Sequence, residues 1–318
     1  MGDRPAACQM ELTRKLTATM GEEIDTIAAK KIRDDTFVDD IATGGTKAEC
    51  ERFKGTENPD TTVCDGTMSQ ILTKGGFNLK AMAMSGEPDG ESLEKLGGSV
   101  LGLGWSTETD FMKVRFIVNI SQHKRGKPSE QDISMDTIHL IDSVKITKRM
   151  CLRVVSTQYD PLGIASPLLV ILKCQLKELY KLDLDWDEEI TGVLRERWVH
   201  LFKMLLTCGE VKFRRCTRPP KVVGRCKLVC FFDGADPAFG ISIYSRWEMN
   251  DGQFQVYLVA AKSRVAPMLG TSTPRVELEG ATLVTRVTLR IVHAMLEDPP
   301  GQIMFLGDSQ TILASRER

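Results

Sequence analysis

The spacing of hydrophobic and polar residues changes character along the chain, and its first part mixes short helical and strand-like patterns. The predicted elements of this part are helices over 6–20 and 22–31, a hairpin over 36–45, a helix beginning near Thr46, a strand over 77–84, and a hairpin formed by 100–105 and 111–120. The polar stretch 121–132 interrupts both kinds of pattern. It therefore marks the first predicted boundary.

The second part carries apolar residues at helical spacing, and the third part changes to alternation. Helices are predicted over 145–155, 167–180 and 187–206, and Pro219-Pro220 ends this block. Strands follow over 228–233, 239–247, 254–262 and 303–306, with a helix from Thr273 to about Leu296 before the last strand and another beginning at Ser309. Thr273 is the predicted N-cap of the long helix, with Pro274 at its first helical position. The order of the third part is β-β-β-α-β-α.

These patterns predict an α/β and α+β multidomain protein. A chain of 318 residues has room for two or three domains. We divide it into residues 1–130, 131–222 and 223–318.

Composition indicates an ordinary globular protein, with 42% hydrophobic and 27% charged residues. The sequence shows no apolar run near the roughly 18 residues of a membrane span and no signal-peptide pattern, so we expect no membrane partner and an intracellular location, cytoplasmic or nuclear. The nine cysteines lack paired spacing and are expected to be free thiols. A zinc site of Cys226, Cys230, Cys216 and His200 is an alternative.

The net charge of −1 excludes a nucleic-acid argument based on the whole chain. A local basic run exists, because residues 195–227 hold ten Lys and Arg against two acids. The candidate nucleic-acid-binding residues within it are Lys212, Arg214, Arg215, Arg218, Lys221 and Arg225. A solvated basic linker is the alternative.

Three acids occupy special places in the third part. Asp233 ends its first strand, Glu277 lies in the first turn of the long helix, and Asp308 follows the fourth strand. If the first and fourth strands are neighbours, the three carboxylates meet at one edge of the sheet, where oxygen ligands suit a hard divalent cation. Such a site can hydrolyse a phosphodiester.

Each acid also has a plain structural interpretation. Asp233 before Gly234 is typical of a turn. Glu277 complements the helix dipole, and Asp308 before Ser309 is typical of an N-cap. The joint order of the three acids favours the functional interpretation.

Several segments resemble the Pol polyprotein of BEL/Pao retrotransposons. Segments 232–240 (FDGADPAFG) and 307–309 (GDS) are similar to the first and third ribonuclease H motifs of that family. Segments 260–267 (AAKSRVAP) and 274–278 (PRVEL) are similar to its segment leading into the second motif. Segments 159–163 (YDPLG) and 184–187 (LDWD) resemble its connection region, and 37–40 (FVDD) resembles its polymerase palm motif. The matches follow the family's order over nearly the whole chain.

This resemblance implies the end of a reverse transcriptase palm with the start of a thumb, a helical thumb or connection region, and an incomplete ribonuclease H domain. It assigns Asp39, Asp40, Asp233, Glu277 and Asp308 as catalytic metal ligands for Mg²⁺ or Mn²⁺. It also implies RNA·DNA hybrid or template-primer as nucleic-acid partner, and the remainder of the polyprotein as protein partner.

The chain departs from an active enzyme of that family at both ends, since family ligands upstream of Met1 and downstream of Arg318 are missing. We therefore expect polymerase and ribonuclease activity to be absent or weak in this form. A domesticated, non-catalytic module that binds nucleic acid or protein is the alternative. An aspartic peptidase would need Asp-Thr-Gly or Asp-Ser-Gly, which neither residues 65–67 nor 308–310 provide.

Overall fold

The computed structural model describes residues 6–37, 40–58, 64–79, 81–89, 99–100, 102–120, 132–267, 272–295 and 298–309. The chain divides into two compact units. Unit 1 comprises residues 1–113 and 212–215, and unit 2 comprises 114–211 and 216–318. The three-part division at residues 130 and 222 stays a prediction.

Unit 1 begins with helices that enclose a small core. Its helices are α1 (Ala6–Met20), α2 (Thr26–Asp34), α3 (Lys47–Lys54) and α4 (Thr67–Lys74), and a 3-10 turn spans Gly21–Glu23. Thr46 and Glu49 form a capping box at the start of α3, as the pattern predicted for Thr46. The most deeply buried large residues of the core are Ile32, Phe53, Met68 and Ile71.

Two predictions for unit 1 were wrong. The second helix begins at Thr26 rather than at residue 22, because the carboxylate of Asp25 accepts the backbone N–H groups of Ile27 and Ala28 and caps it there. Residues 77–79 and 81–84 form no strand. The pattern also missed α4, although Thr67–Lys74 buries Met68, Ile71 and Leu72.

Unit 1 also holds two small sheets. Strands β1 (Thr36–Phe37) and β2 (Asp40–Ile41) pair antiparallel, which confirms the first predicted hairpin. The other sheet has the order β3-β4-β5-β6, from Ser99–Val100, Leu103–Ser106, Phe111–Val114 and Lys212–Arg214. The strand predicted over 100–105 is divided into β3 and β4, with Gly102 at a φ of 76° between them.

Unit 2 contains the predicted helical block, with shifted helix ends. A 3-10 helix spans Met135–Ser143, and α5 (Lys148–Thr157), α6 (Ser166–Lys181) and α7 (Gly192–Cys208) follow. Thr147 caps α5, so this helix begins three residues later than predicted, at Lys148. Helix α7 begins at Gly192 and not at residue 187, because residues before it form a bridge from Glu189 to Thr147.

The third part of the chain forms a sheet covered by one long helix. Strands β7 (Lys227–Ala235), β8 (Ala238–Glu248) and β9 (Phe254–Val265) make the predicted antiparallel meander. Helix α8 (Thr273–Ala294) precedes β10 (Gln302–Leu306), which pairs parallel with β7. The sheet order is β10-β7-β8-β9, so the first and fourth strands are neighbours, which is the condition under which the three acids were expected to meet. The helix predicted from Ser309 onward lies outside the described residues.

Alternation along β8 explains why α8 covers one face of this sheet. Every second residue from Phe239 to Trp247 is buried. These residues pack with Leu228 and Cys230 of β7 and with the apolar side of α8. The core therefore lies between α8 and one face of the sheet.

The loop before α6 is joined to the edge strand β9. The carboxylate of Asp160 accepts the backbone N–H groups of Gly163, Ile164 and Ala165. The N–H of Ala261 then donates to the carbonyl of Leu162 at 2.7 Å. This loop satisfies a backbone donor on an edge that would otherwise be open.

Within the described residues, none of the helices combines the length and apolar character needed to cross a membrane.

Candidate metal and nucleic-acid site

Asp233 lies near the end of β7, level with Gly240 on β8. Its carboxylate is exposed, and Oδ1 accepts the N–H of Gly234 at 2.7 Å. Alternation turns Gly234, rather than Asp233, toward α8. Asp233 is thus a strand residue, which argues against the plain turn interpretation.

Two glycines allow α8 to cross β7 at short range. A Cβ on Gly234 would lie 2.7 Å from the carbonyl oxygen of Val276 and 2.8 Å from the nitrogen of Glu277. A Cβ on Gly280 would lie 3.3 Å from the carbonyl oxygen of Asp233. Gly234 has no room for a side chain, whereas Gly280 has only slightly too little, and the crossing brings the backbone of Glu277 next to that of β7.

The start of α8 differs from the prediction. Ser272 is the N-cap, Thr273 is the first helical residue and Pro274 the second. Glu277 therefore follows the first turn, which contains no acid. At this depth the helix dipole has largely faded, so the dipole interpretation of Glu277 loses its basis.

Asp308 lies at the same end of the sheet. Leu306, the last residue of β10, is level with Phe231 of β7, and Asp308 and Asp233 each follow this pair by two residues. Asp308 is exposed, whereas the next residue, Ser309, is 6% exposed. The hydroxyl of Ser309 contacts Oε2 of Glu277 at 2.5 Å.

The three acids therefore share one end of the sheet, but their side chains do not close around a point. Within the described part of the chain, no group of three or more His, Cys, Asp or Glu side chains could hold a metal ion. The donor set itself, three carboxylates on separate elements, suits a hard divalent cation. Two of these carboxylates, those of Asp233 and Asp308, are exposed.

The palm-like hairpin is only partly described. Asp40 is exposed on β2, level with Phe37 on β1. Asp39, predicted beside it, lies outside the described residues.

The structure divides the predicted basic residues between the two units. Lys212, Arg214 and Arg215 belong to unit 1, and Arg218, Lys221 and Arg225 belong to unit 2. All six are exposed.

Two of the six are already neutralised by acids of their own unit. Arg215 binds Asp110 through two hydrogen bonds, of 2.7 and 3.2 Å. Arg218 forms an ion pair with Asp298 at 2.7 Å. Fewer charges of this run are thus available for phosphate than the sequence indicated.

All nine cysteines are free thiols. Cys226 and Cys230, the proposed zinc ligands, are buried in the apolar core under α8, and burial raises the pKa of both thiols. A thiol held protonated in this way is a poor zinc ligand.

Sequence reasoning missed Ser309 and the Gly234–Gly280 crossing as parts of the site. The pattern places Ser309 after Asp308 and at the start of a predicted helix, but not in the site. Its contact with Glu277 joins residues 32 positions apart, for which the local pattern gives no signal.

This chain is similar to a known protein family and, more weakly, to a solved structure. The family model described as the Pao retrotransposon-like RNaseH-like domain matches residues 147–309, just over half of the chain. A solved structure, the foamy viral protease-reverse transcriptase dRH in complex with ds DNA, is 14% identical with a TM-score of 0.34; the match covers 66% of this chain and 34% of that one. The chain thus spans about a third of that protein's length, and we draw no conclusion from a similarity of this size.

A search of curated proteins found no match. The matched range contains α5 to α7 as well as the sheet, α8 and the three acids of the site. The chain belongs to the family of Pao retrotransposon-like RNaseH-like domains, and it is part of a retrotransposon Pol protein.

Proposed function

We propose that unit 2 binds RNA·DNA hybrid and hydrolyses its RNA strand weakly, using Asp233, Glu277 and Asp308 with Mg²⁺ or Mn²⁺. The observation that carries this proposal is the placement of the three acids at one end of the sheet by three separate elements. Like charges at one end of a sheet repel one another, so the three carboxylates favour the binding of a cation between them.

The residues have different tasks in this proposal. Glu277 is held in place by Ser309 and by the close crossing of α8 over β7. Asp233 and Asp308 are exposed and supply the other oxygen ligands. A divalent cation bound by them would lower the pKa of an attacking water and neutralise phosphate charge.

Weak rather than full activity follows from the same geometry. The carboxylates must turn toward the cation before they can bind it, because they form no three-ligand group in the described structure. Reorganisation of this kind lowers affinity for the metal and slows hydrolysis.

The test is cleavage of the labelled RNA strand of a hybrid in Mg²⁺ or Mn²⁺ by the whole chain. We expect slow cleavage by the wild type and at least a tenfold loss in Asp233→Asn. Asp251→Asn, in the exposed turn after β8, serves as the control and should cleave normally. Equal rates in all three proteins, or no cleavage by a folded wild type, would reject the hydrolase.

A second candidate function is hybrid binding without hydrolysis. The absence of a three-ligand group among the described acids favours it. Binding with no cleavage in either metal would support this function over the first.

For unit 1 we propose the end of a reverse transcriptase palm with the start of the thumb, in which Asp39 and Asp40 hold metal ions for nucleotide transfer. The β1–β2 hairpin around Asp40 supports this proposal. Template-primer and other parts of the Pol polyprotein would be partners, and the location would be intracellular. Nucleotide incorporation that is lost in Asp40→Asn would support the assignment.

A further inference from the structure

A group of basic side chains lies near Glu277, on the side of the sheet that α8 covers. Lys262 and Arg264 on β9 and Arg275 on α8 are all exposed. Among the residues described by the structure, the side chains of these three cations have no hydrogen bond or ion pair. They differ in this respect from Arg215 and Arg218 of the basic run.

The strand register places Arg264 level with Gly234, the residue at which α8 crosses β7. Gly234 on β7 pairs with Phe239 on β8, which pairs with Arg264 on β9. Arg264 is therefore two strand spacings, roughly 10 Å, from Gly234. Gly234 in turn lies against the backbone nitrogen of Glu277.

Lys262 and Arg264 also lie on the same face as α8. Lys262 is opposite Ile241 and Arg264 is opposite Phe239, and both of these partners are buried under the helix. Arg275 is two residues before Glu277 on α8 itself. All three cations thus flank the place where Glu277 lies.

We propose that Lys262, Arg264 and Arg275 bind the phosphodiester backbone of the nucleic acid next to the acid edge. Three carboxylates alone would repel a polyanion, whereas the cations that flank Glu277 attract the neighbouring phosphates. Contacts of this kind position the strand without reading its sequence. This inference rests on the proposed function of the site and adds the residues that hold its substrate.

The experiment measures binding of a labelled RNA·DNA hybrid to the whole chain in EDTA at several salt concentrations. Removing one phosphate contact reduces the slope of log K against log salt by about one. We expect this reduction in Lys262→Gln and in Arg264→Gln. Arg264→Lys should keep the wild-type slope, which separates loss of charge from loss of structure.

Arg290→Gln is the matched control. Arg290 is an exposed cation on the same helix, about 22 Å along it from Arg275. Its removal should leave the slope unchanged. A wild-type slope in both Gln variants, or an equal loss in Arg290→Gln, would overturn the proposal.

This outcome is independent of hydrolysis, because EDTA removes the metal. A reduced slope without any metal-dependent cleavage would support the proposed phosphate contacts and reject the proposed hydrolase activity. Cleavage that depends on Asp233, together with an unchanged slope, would support the proposed hydrolase activity and reject the proposed phosphate contacts.

Discussion

The hydroxyl of Ser309 and the carboxylate of Glu277 lie 2.5 Å apart, which links the end of β10 to α8. Ser309 is buried and Glu277 is half-buried, so water competes little for this hydrogen bond. A hydroxyl donor beside a carboxylate fixes the direction of that carboxylate.

Removing this hydroxyl should therefore weaken metal binding. A buried hydrogen bond to a charged group contributes about 1.5–3 kcal/mol, so we expect Ser309→Ala to raise the Mn²⁺ concentration for half-saturation about tenfold. Titration with Mn²⁺, followed by electron paramagnetic resonance, measures this. Ser309→Thr keeps the hydroxyl and should bind nearly as the wild type; equal weakening in both variants would argue against the hydrogen bond.

Because α8 crosses β7 closely, substituting alanine for two glycines on neighbouring strands should change the stability of the protein by very different amounts. A Cβ on Gly234 meets backbone atoms at 2.7–2.8 Å, so Gly234→Ala should destabilise the protein, by about 1–3 kcal/mol for overpacking of this kind. On Gly240 the nearest atom is the Lys262 carbonyl oxygen, at an ordinary 3.7 Å. Urea denaturation should show Gly240→Ala within about 0.5 kcal/mol of wild type. Similar losses in both would contradict the close crossing.

The loop before α6, which is hydrogen-bonded to β9, gives a second pair of glycines whose substitution should differ in its effect on stability. Gly163 has a φ of 79°, and a Cβ there would lie 1.8 Å from the carbonyl oxygen of Ala261. Gly192 has a φ of 60° but open space around it. Gly192→Ala should cost about 1–2 kcal/mol from backbone strain alone, whereas Gly163→Ala should cost more. Equal urea midpoints would show that the loop does not hold β9 closely.

Asp25 should make the stability of unit 1 depend on pH. Burial alone would raise the pKa of this carboxylate, but hydrogen bonds from the Ala28 N–H, Arg52 and Thr67 outweigh burial and lower it below 3.8. The stability it contributes is therefore present above the unfolded-state pKa and is lost as pH falls through the folded-state value.

The measurement is unfolding of the whole chain from about pH 6 down to about pH 2. Asp25→Asn should be less stable than wild type at neutral pH, and its stability should fall less steeply in acid. Asp34→Asn, an exposed acid on the same helix, should follow the wild-type curve. Parallel curves for wild type and Asp25→Asn would contradict the lowered pKa.

The sheet and its helix were predictable from sequence because their signals are local. Alternation over β8, Pro274 at the start of α8 and Pro299-Pro300 after its end each lie within a few residues of the element they define. The predicted meeting of the three acids required β7 and β10 to be neighbours. The pairing of Leu306 with Phe231 shows that they are.

Features that depend on distant partners were not predictable. Asp25 shifts the start of α2 through a cap that Arg52 and Thr67 reinforce from 27 and 42 residues away. The pairing of Arg215 with Asp110 spans 105 residues and removes a cation from the basic run. The proposed role of Arg264 depends on the strand register, which its sequence neighbourhood does not reveal.

The most direct test of the central claim is whether the three acids bind one cation site together. Mn²⁺ titration of the wild type, Asp233→Asn, Glu277→Gln and Asp308→Asn measures this, with Asp251→Asn as the control. We predict that each of the three variants loses at least tenfold in affinity while the control does not. Wild-type affinity in all three variants would contradict a shared metal site.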